Sequence, residues 1–183
     1  MLYTAFPSDL KEDLDIVQRI LPKKISACDS AMSYTLNNGK IVEIPYRIYL
    51  SDIDNSEYDI LTPTQKQLLC CIYTRSSDGY VREKYLRKLL DMSFEGWSIP
   101  FIVKLCDEYV LEILEIIYCK LKERNNEDIK SFCLINKAST QKSYSRMISY
   151  WNEFYREYEF SFRKYIGRSL FRDCLGYDRT FEK

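Results

Sequence analysis

The sequence predicts an all-α fold with one N-terminal β-hairpin, and three stretches carry that prediction. The first is residues 99–124, IPFIVKLCDEYVLEILEIIYCKLKER. Pro100 sits in its first helical turn, and no Gly or Pro follows. Phe101, Leu105, Tyr109, Val110, Ile113, Leu114, Ile117 and Leu121 cover more than half of such a helix. A helix that apolar must be surrounded by other elements. It is expected to be the central buried helix of a compact bundle or of stacked helix pairs. The second stretch is Thr62-Pro63-Thr64-Gln65, where Thr62 caps, Pro63 takes the first helical position and Gln65 completes a capping box. The third is residues 31–44, AMSYTLNNGKIVEI. Asn38-Gly39 signals a two-residue hairpin turn in which both residues take positive φ. Met32, Tyr34 and Leu36 alternate on one arm and Val42 and Ile44 on the other.

In chain order, Ser8 or Asp9 is expected to cap a first helix running to Leu21, with Asp9 and Glu12 at capping-box spacing. Leu10, Leu14, Val17 and Leu21 line one face, and Pro22 stops the helix. After the hairpin, Pro45 opens an extended segment, PYRIYL, and residues 51–61 form an acidic connector. The helix capped by Thr62 runs to Thr74, and Asp78 caps the next, from Tyr80 to Asp91. A loop carrying Trp97 leads into residues 99–124. A short helix is expected over Glu127–Asn136. Ser139 or Thr140 then opens a long helix to Ile166, which Gly167 ends or bends. A last helix covers Ser169–Cys174, Gly176 stops it, and residues 177–183 form a tail. The whole reads as a single helical domain, residues 1–183, with the hairpin at 31–44, core helices at 62–124 and aromatic-basic helices at 139–174.

PYRIYL, CIYTRSSDGYVREKYLRKLL and IPFIVKLCDEYVLEILEII together resemble a bacterial family of small helical proteins of uncharacterised function. That resemblance implies a helical fold and brings no reaction, cofactor or partner. Separately, a helix, a turn with Asp78-Gly79, then Val81-Arg82 opening the next helix resembles HEAT-like helix pairing. No second copy at a fixed period accompanies it, so a true solenoid is not expected.

Composition narrows function by exclusion. The 183 residues carry 27 basic and 27 acidic side chains, which argues against coating nucleic acid or anionic membrane by bulk charge. The balance shifts along the chain, from 6 bases and 10 acids in residues 1–62 to 10 bases and 6 acids in residues 137–183. The N-terminal MLYTAFPSDLKEDL lacks the basic region and long apolar run of a signal peptide. Lys104, Asp107, Glu108, Glu112 and Glu115 make membrane insertion of 99–124 costly. The expectation is a soluble, cytoplasmic protein. Seven cysteines without a CxxC pair are read as reduced, mostly buried thiols. Cys70 and Cys71 are adjacent on a helix and point about 100° apart, so one should face the core and the other the periphery.

Histidine is absent, which removes Ser-His-Asp and Cys-His catalysis, His-ligated zinc and the usual neutral-pH proton shuttle. Five glycines, at 39, 79, 96, 167 and 176, leave no GxGxxG or Walker loop. Asp52-x-Asp54 starts like a calcium loop, but Glu57 stands where that loop needs glycine and Pro63 where it needs glutamate. No catalytic, cofactor or metal residue is expected. Lys104, Glu108, Glu112 and Glu115, with Asp107 beside them, form a polar stripe on the 99–124 helix. It would serve metal or acid–base chemistry only if it faced a cleft, and a structural polar edge is favoured. Arg75, Arg82, Lys84, Arg87 and Lys88 are read as surface charges.

The stripe Tyr144, Ile148, Trp151, Tyr155, Tyr158, Phe162 and Tyr165 recurs at helical spacing among basic residues. Docking on the core accounts for much of such a stripe, but its excess of Tyr over Leu favours a partly exposed face. Arg146, Tyr155, Arg156, Arg163 and Lys164 are the expected partner-binding residues, with Arg156 and Arg163 sharing one helical face. The favoured function is a non-catalytic bacterial protein–protein interaction module, an adaptor, regulator or immunity-type protein. The alternative is a nucleic-acid-binding accessory factor using the same helix, and a carboxylate-dependent hydrolase ranks third.

Overall fold

The computed structural model describes residues 2–28, 30–93, 95–158 and 161–177. It is mostly helical, with two small antiparallel sheets. The chain divides into two compact units, Met1–Phe101 and Ile102–Lys183.

In the first unit, α1 (Lys11–Ile20) follows a 3₁₀ turn at Ser8–Leu10 and has no side-chain cap. The expected Asp9 cap is not made, because that carboxylate instead holds Lys40 Nζ at 2.7 Å. Leu14 and Val17 are buried as expected, and Leu21 turns extended ahead of Pro22.

The hairpin pairs β2 (Ala31–Thr35) with β3 (Ile41–Pro45), aligning Met32 with Ile44 and Tyr34 with Val42. Tyr34, Leu36, Val42 and Ile44 are buried, as the alternation requires. The turn differs from expectation. Gly39 has φ +82, and no described residue other than glycine has positive φ. Leu36 O accepts the Gly39 N–H at 2.8 Å, while the Leu36 N–H donates to Lys40 O at 2.8 Å. The loop is therefore the three residues Asn37–Gly39, a turn closed by a left-handed glycine. Asn38 contributes through its side chain, whose Oδ1 accepts from the Lys40 N–H at 3.1 Å.

A second sheet, not foreseen, pairs β1 (Ser26–Ala27) with β4 (Ile48–Tyr49). Pro45 closes β3 rather than opening the next segment. The acidic connector contains a short helix, α2 (Asn55–Asp59).

Helix α3 (Pro63–Tyr73) carries the complete Thr62–Gln65 capping box. Helix α4 (Gly79–Asp91) is capped by Asp78, which accepts from the Tyr80 and Val81 N–H groups. α3 packs on both α1 and α4. Two corrections belong here. Cys70 and Cys71 are both fully buried, because α3 is enclosed on more than one face. Arg75 and Arg82, expected at the surface, are 0% and 2% exposed. Arg75 donates to the carbonyls of Pro45 and Tyr46, and Arg82 to those of Ser76 and Ser77. They satisfy backbone oxygens that local structure leaves over.

The stretch 99–124 is not one helix. It breaks into α5 (Ile99–Leu105) and α6 (Leu111–Lys122), so the expected central helix and its continuous polar stripe do not exist. In the second unit, α6 packs on α9 (Ile166–Asp173), and α8 (Lys137–Tyr150) packs on both α7 (Glu127–Ile135) and α9. The expected long helix from 139 is also broken. α8 starts at Lys137, and Thr140 lies inside it, bonding back to the carbonyls of Cys133 and Asn136. After Tyr150 the chain makes a π-helical turn, Trp151–Tyr155, and later a 3₁₀ turn, Phe162–Lys164. Residues 159 and 160 of the expected helix lie outside the described residues, as does the expected tail beyond Tyr177.

Gly167 neither ends nor bends a helix. It lies in the first turn of α9, where an added Cβ would meet the Tyr165 ring at 2.6 Å and Met147 Cγ at 2.9 Å. Gly176 does terminate α9: at φ +68 it lets the Tyr177 N–H reach Phe171 O at 2.9 Å.

Candidate functional site

The candidate site is an aromatic face of the second unit, and an ion cluster centred on buried Asp107 lies at one side of it. Lys104 and Asp107 are 3% and 2% exposed. Asp107 takes Lys104 Nζ on one oxygen and Arg146 Nη1 on the other, both at 2.5 Å. The cluster pins the turn between α5 and α6, which tightens into i→i−3 bonds from Cys106 to Val103 and from Glu108 to Leu105. α6 then starts at extended Val110 with no side-chain cap. The turn carries Tyr109 out of the apolar arc predicted for it and leaves it 49% exposed.

The π-helical turn supplies the other side. The Arg156 N–H bonds to Trp151 O at 2.9 Å, an i→i−5 step. This extra residue in the turn rotates the following side chains relative to a regular helix. Phe154 reaches 49% exposure, while the Tyr155 hydroxyl donates to Tyr109 O at 2.5 Å. Tyr109, Tyr150 and Phe154 form a three-ring cluster with centroids 5.9, 6.0 and 6.1 Å apart. Trp151 tilts onto Phe162 at 5.1 Å, and Tyr155 stacks on buried Tyr165 at 5.8 Å. Rigid amphipathic rings held this way offer contact area at low entropic cost.

Beside the cluster runs a groove of about 290 Å³, lined by Leu111, Glu115, Tyr155, Tyr158, Lys164 and Tyr165 among others. Tyr158 is 83% exposed at its lip. The Tyr155 phenol has a raised pKa, first through burial and then through the negative charges of Glu112 and Glu115. Of the predicted carboxylate stripe, Glu115 lines this groove, Glu112 is exposed one helical turn earlier on α6, and Glu108 is buried in the turn before α6.

The predicted partner residues divide. Arg156, Arg163 and Lys164 are exposed. Arg156 and Arg163 do not share a helical face, since no single helix connects them; Arg156 donates to Asn152 Oδ1 at 3.0 Å. Tyr155 is half-buried, and Arg146, also only partly exposed, pairs with the buried Asp107 carboxylate. Of the aromatic stripe, Tyr144 and Tyr165 are core residues. Sequence reasoning missed Tyr109, Tyr150 and Phe154, because their convergence depends on two helix interruptions that leave no Gly or Pro in the sequence.

The other candidate chemistry is spoken for. Asp52 bonds Lys84 Nζ at 2.6 Å, the Tyr85 hydroxyl at 2.7 Å and the Ile53 N–H at 2.9 Å. Burial works to raise its pKa, but these donors hold the carboxyl below its usual range. Cys70, Cys71, Cys106, Cys133 and Cys174 are buried, and Cys28 and Cys119 are exposed; all seven are free thiols. Burial pushes Cys70 and Cys133 up to about 12 and Cys174 up to about 11, which suits inert core thiols. Among the described residues, no group of three or more Cys, Asp or Glu side chains is placed to hold a metal ion, and no helix is long and apolar enough to cross a membrane. No protein-family model, curated protein or solved structure matches the chain.

Proposed function

We propose that this chain is a non-catalytic protein–protein interaction module, of the adaptor, regulator or immunity type and acting in a bacterial cytoplasm. Its partner seats on the aromatic face of the second unit. The observation that carries this reading is the cluster of Tyr109, Tyr150 and Phe154, with Tyr109 and Phe154 each half exposed although each touches the other two rings. Clustered aromatic anchors with arginine at the rim are the composition of interface hot spots. Arg156 and Arg163 supply that rim, Tyr155 braces the cluster, Arg146 pairs with Asp107 in the turn that carries Tyr109, and Lys164 borders the groove alongside. Exposed Glu112, Glu115, Glu153 and Glu157 share this part of the chain with those cations. Such mixed charge favours a protein partner over the nucleic acid that a uniformly basic aromatic surface would take.

Site-specific photo-crosslinking in the native host tests the reading. A benzophenone amino acid placed at Phe154 should capture one dominant protein, and the same group at Tyr80, 86% exposed in the other unit, should not. Changing both Tyr109 and Phe154 to Ala should weaken binding of that partner by about 2 kcal/mol or more. Equal capture at both positions, or recovery of nucleic acid from Phe154 alone, would overturn it.

A further inference from the structure

Resting on that reading, we infer that the groove beside the aromatic cluster takes an arginine side chain presented by the protein partner. Tyr155 and Tyr158 give the groove aromatic walls over the Tyr165 ring, and Leu111 adds an apolar margin for an aliphatic stem. Glu115 lines it directly, and Glu112, one helical turn earlier, acts on the same Tyr155 phenol. A guanidinium is the side-chain group that both stacks on tyrosine faces and pairs with carboxylates through a planar fork of N–H donors. An acidic or phosphorylated ligand would meet the Glu115 carboxylate and the negative faces of the rings. Among the described residues, Lys164 is the one cation in the lining, and it is exposed on a long stem. In this assignment Lys164 competes with the incoming arginine rather than helping to hold the partner, which gives the proposal a sign that other occupants do not share.

The test titrates the full chain with a short peptide, acetyl-GRGRG-amide, and with its citrulline counterpart, following the tyrosine ring resonances by NMR. Citrulline keeps the shape and removes the charge. The arginine peptide should bind at least about fivefold tighter than the citrulline peptide, and Glu115→Gln should remove most of that difference, the scale of one partly exposed ion pair. Lys164→Gln should tighten binding by about twofold or more. Equal binding of the two peptides, an unaffected Glu115→Gln variant, or weaker binding to Lys164→Gln would each overturn the assignment. Weaker binding to Lys164→Gln would point instead to an anionic ligand. If the peptide arms fail while crosslinking at Phe154 still captures one protein, the arginine assignment falls and the partner surface stands.

Discussion

Helices α3 and α6 begin in opposite ways. α3 starts where its own sequence says it must, with Thr62 and Gln65 exchanging hydrogen bonds across the first turn and Pro63 at its first position. α6 starts at Val110 with no side-chain cap, after a turn held by a carboxylate whose second partner lies 39 residues away. The first start is local chemistry and readable from four residues. The second is tertiary, because Asp107 has Lys104 three residues away but gains its second ion partner only when α8 delivers Arg146. The proposed partner face depends on the second kind, since that turn leaves Tyr109 half exposed.

This contrast predicts unequal losses. Asp107→Ala should cost the most, roughly 3 kcal/mol or more, because it removes the carboxylate shared by buried Lys104 and by Arg146. Urea unfolding in a Trp97→Phe background lets Trp151 report the second unit. A loss below about 1 kcal/mol would mean that the ion cluster does not hold the turn, given the cost expected for breaking a buried pair.

Gly167→Ala should cost about 1–3 kcal/mol by overpacking, since its Cβ would fall 2.6 Å from the Tyr165 ring and 2.9 Å from Met147. Gly79→Ala is the matched control. Its Cβ meets nothing nearer than Arg82 at 3.7 Å, so thermal stability should hold or rise slightly. Equal behaviour of the two variants would show that α8 and α9 are not packed as tightly as the geometry requires.

Thr62→Ala should cost about 1 kcal/mol, the ordinary worth of an N-cap. The loss should appear in Trp97 fluorescence and leave Trp151 unchanged, because a local cap acts on its own unit. A larger loss seen by Trp151 would blur the contrast between a locally and a tertiarily determined start.

Much of the fold was legible because short-range rules governed it. The capping box at Thr62, the Asp78 cap and the alternation through Tyr34, Val42 and Ile44 each involve neighbours in sequence or one hairpin. Even there a local rule had a rival. Asn38-Gly39 fits a two-residue turn, yet Asn37 joins the loop and Asn38 acts through its side chain. Asp9 had a cap to make and paired with Lys40 instead.

The candidate site was legible only in its ingredients. The sequence alone established a largely helical chain without histidine, an aromatic-basic segment near its C-terminus, and carboxylates at 112 and 115. Tertiary structure decided that both long apolar runs break, that Arg75 and Arg82 go inside to serve backbone carbonyls, and that Tyr109, Tyr150 and Phe154 meet. The reason is physical. Periodicity reports which face of a helix is apolar, but not where the run is interrupted, and in the turn before α6 Asp107 meets Arg146 only across 39 residues of folded chain.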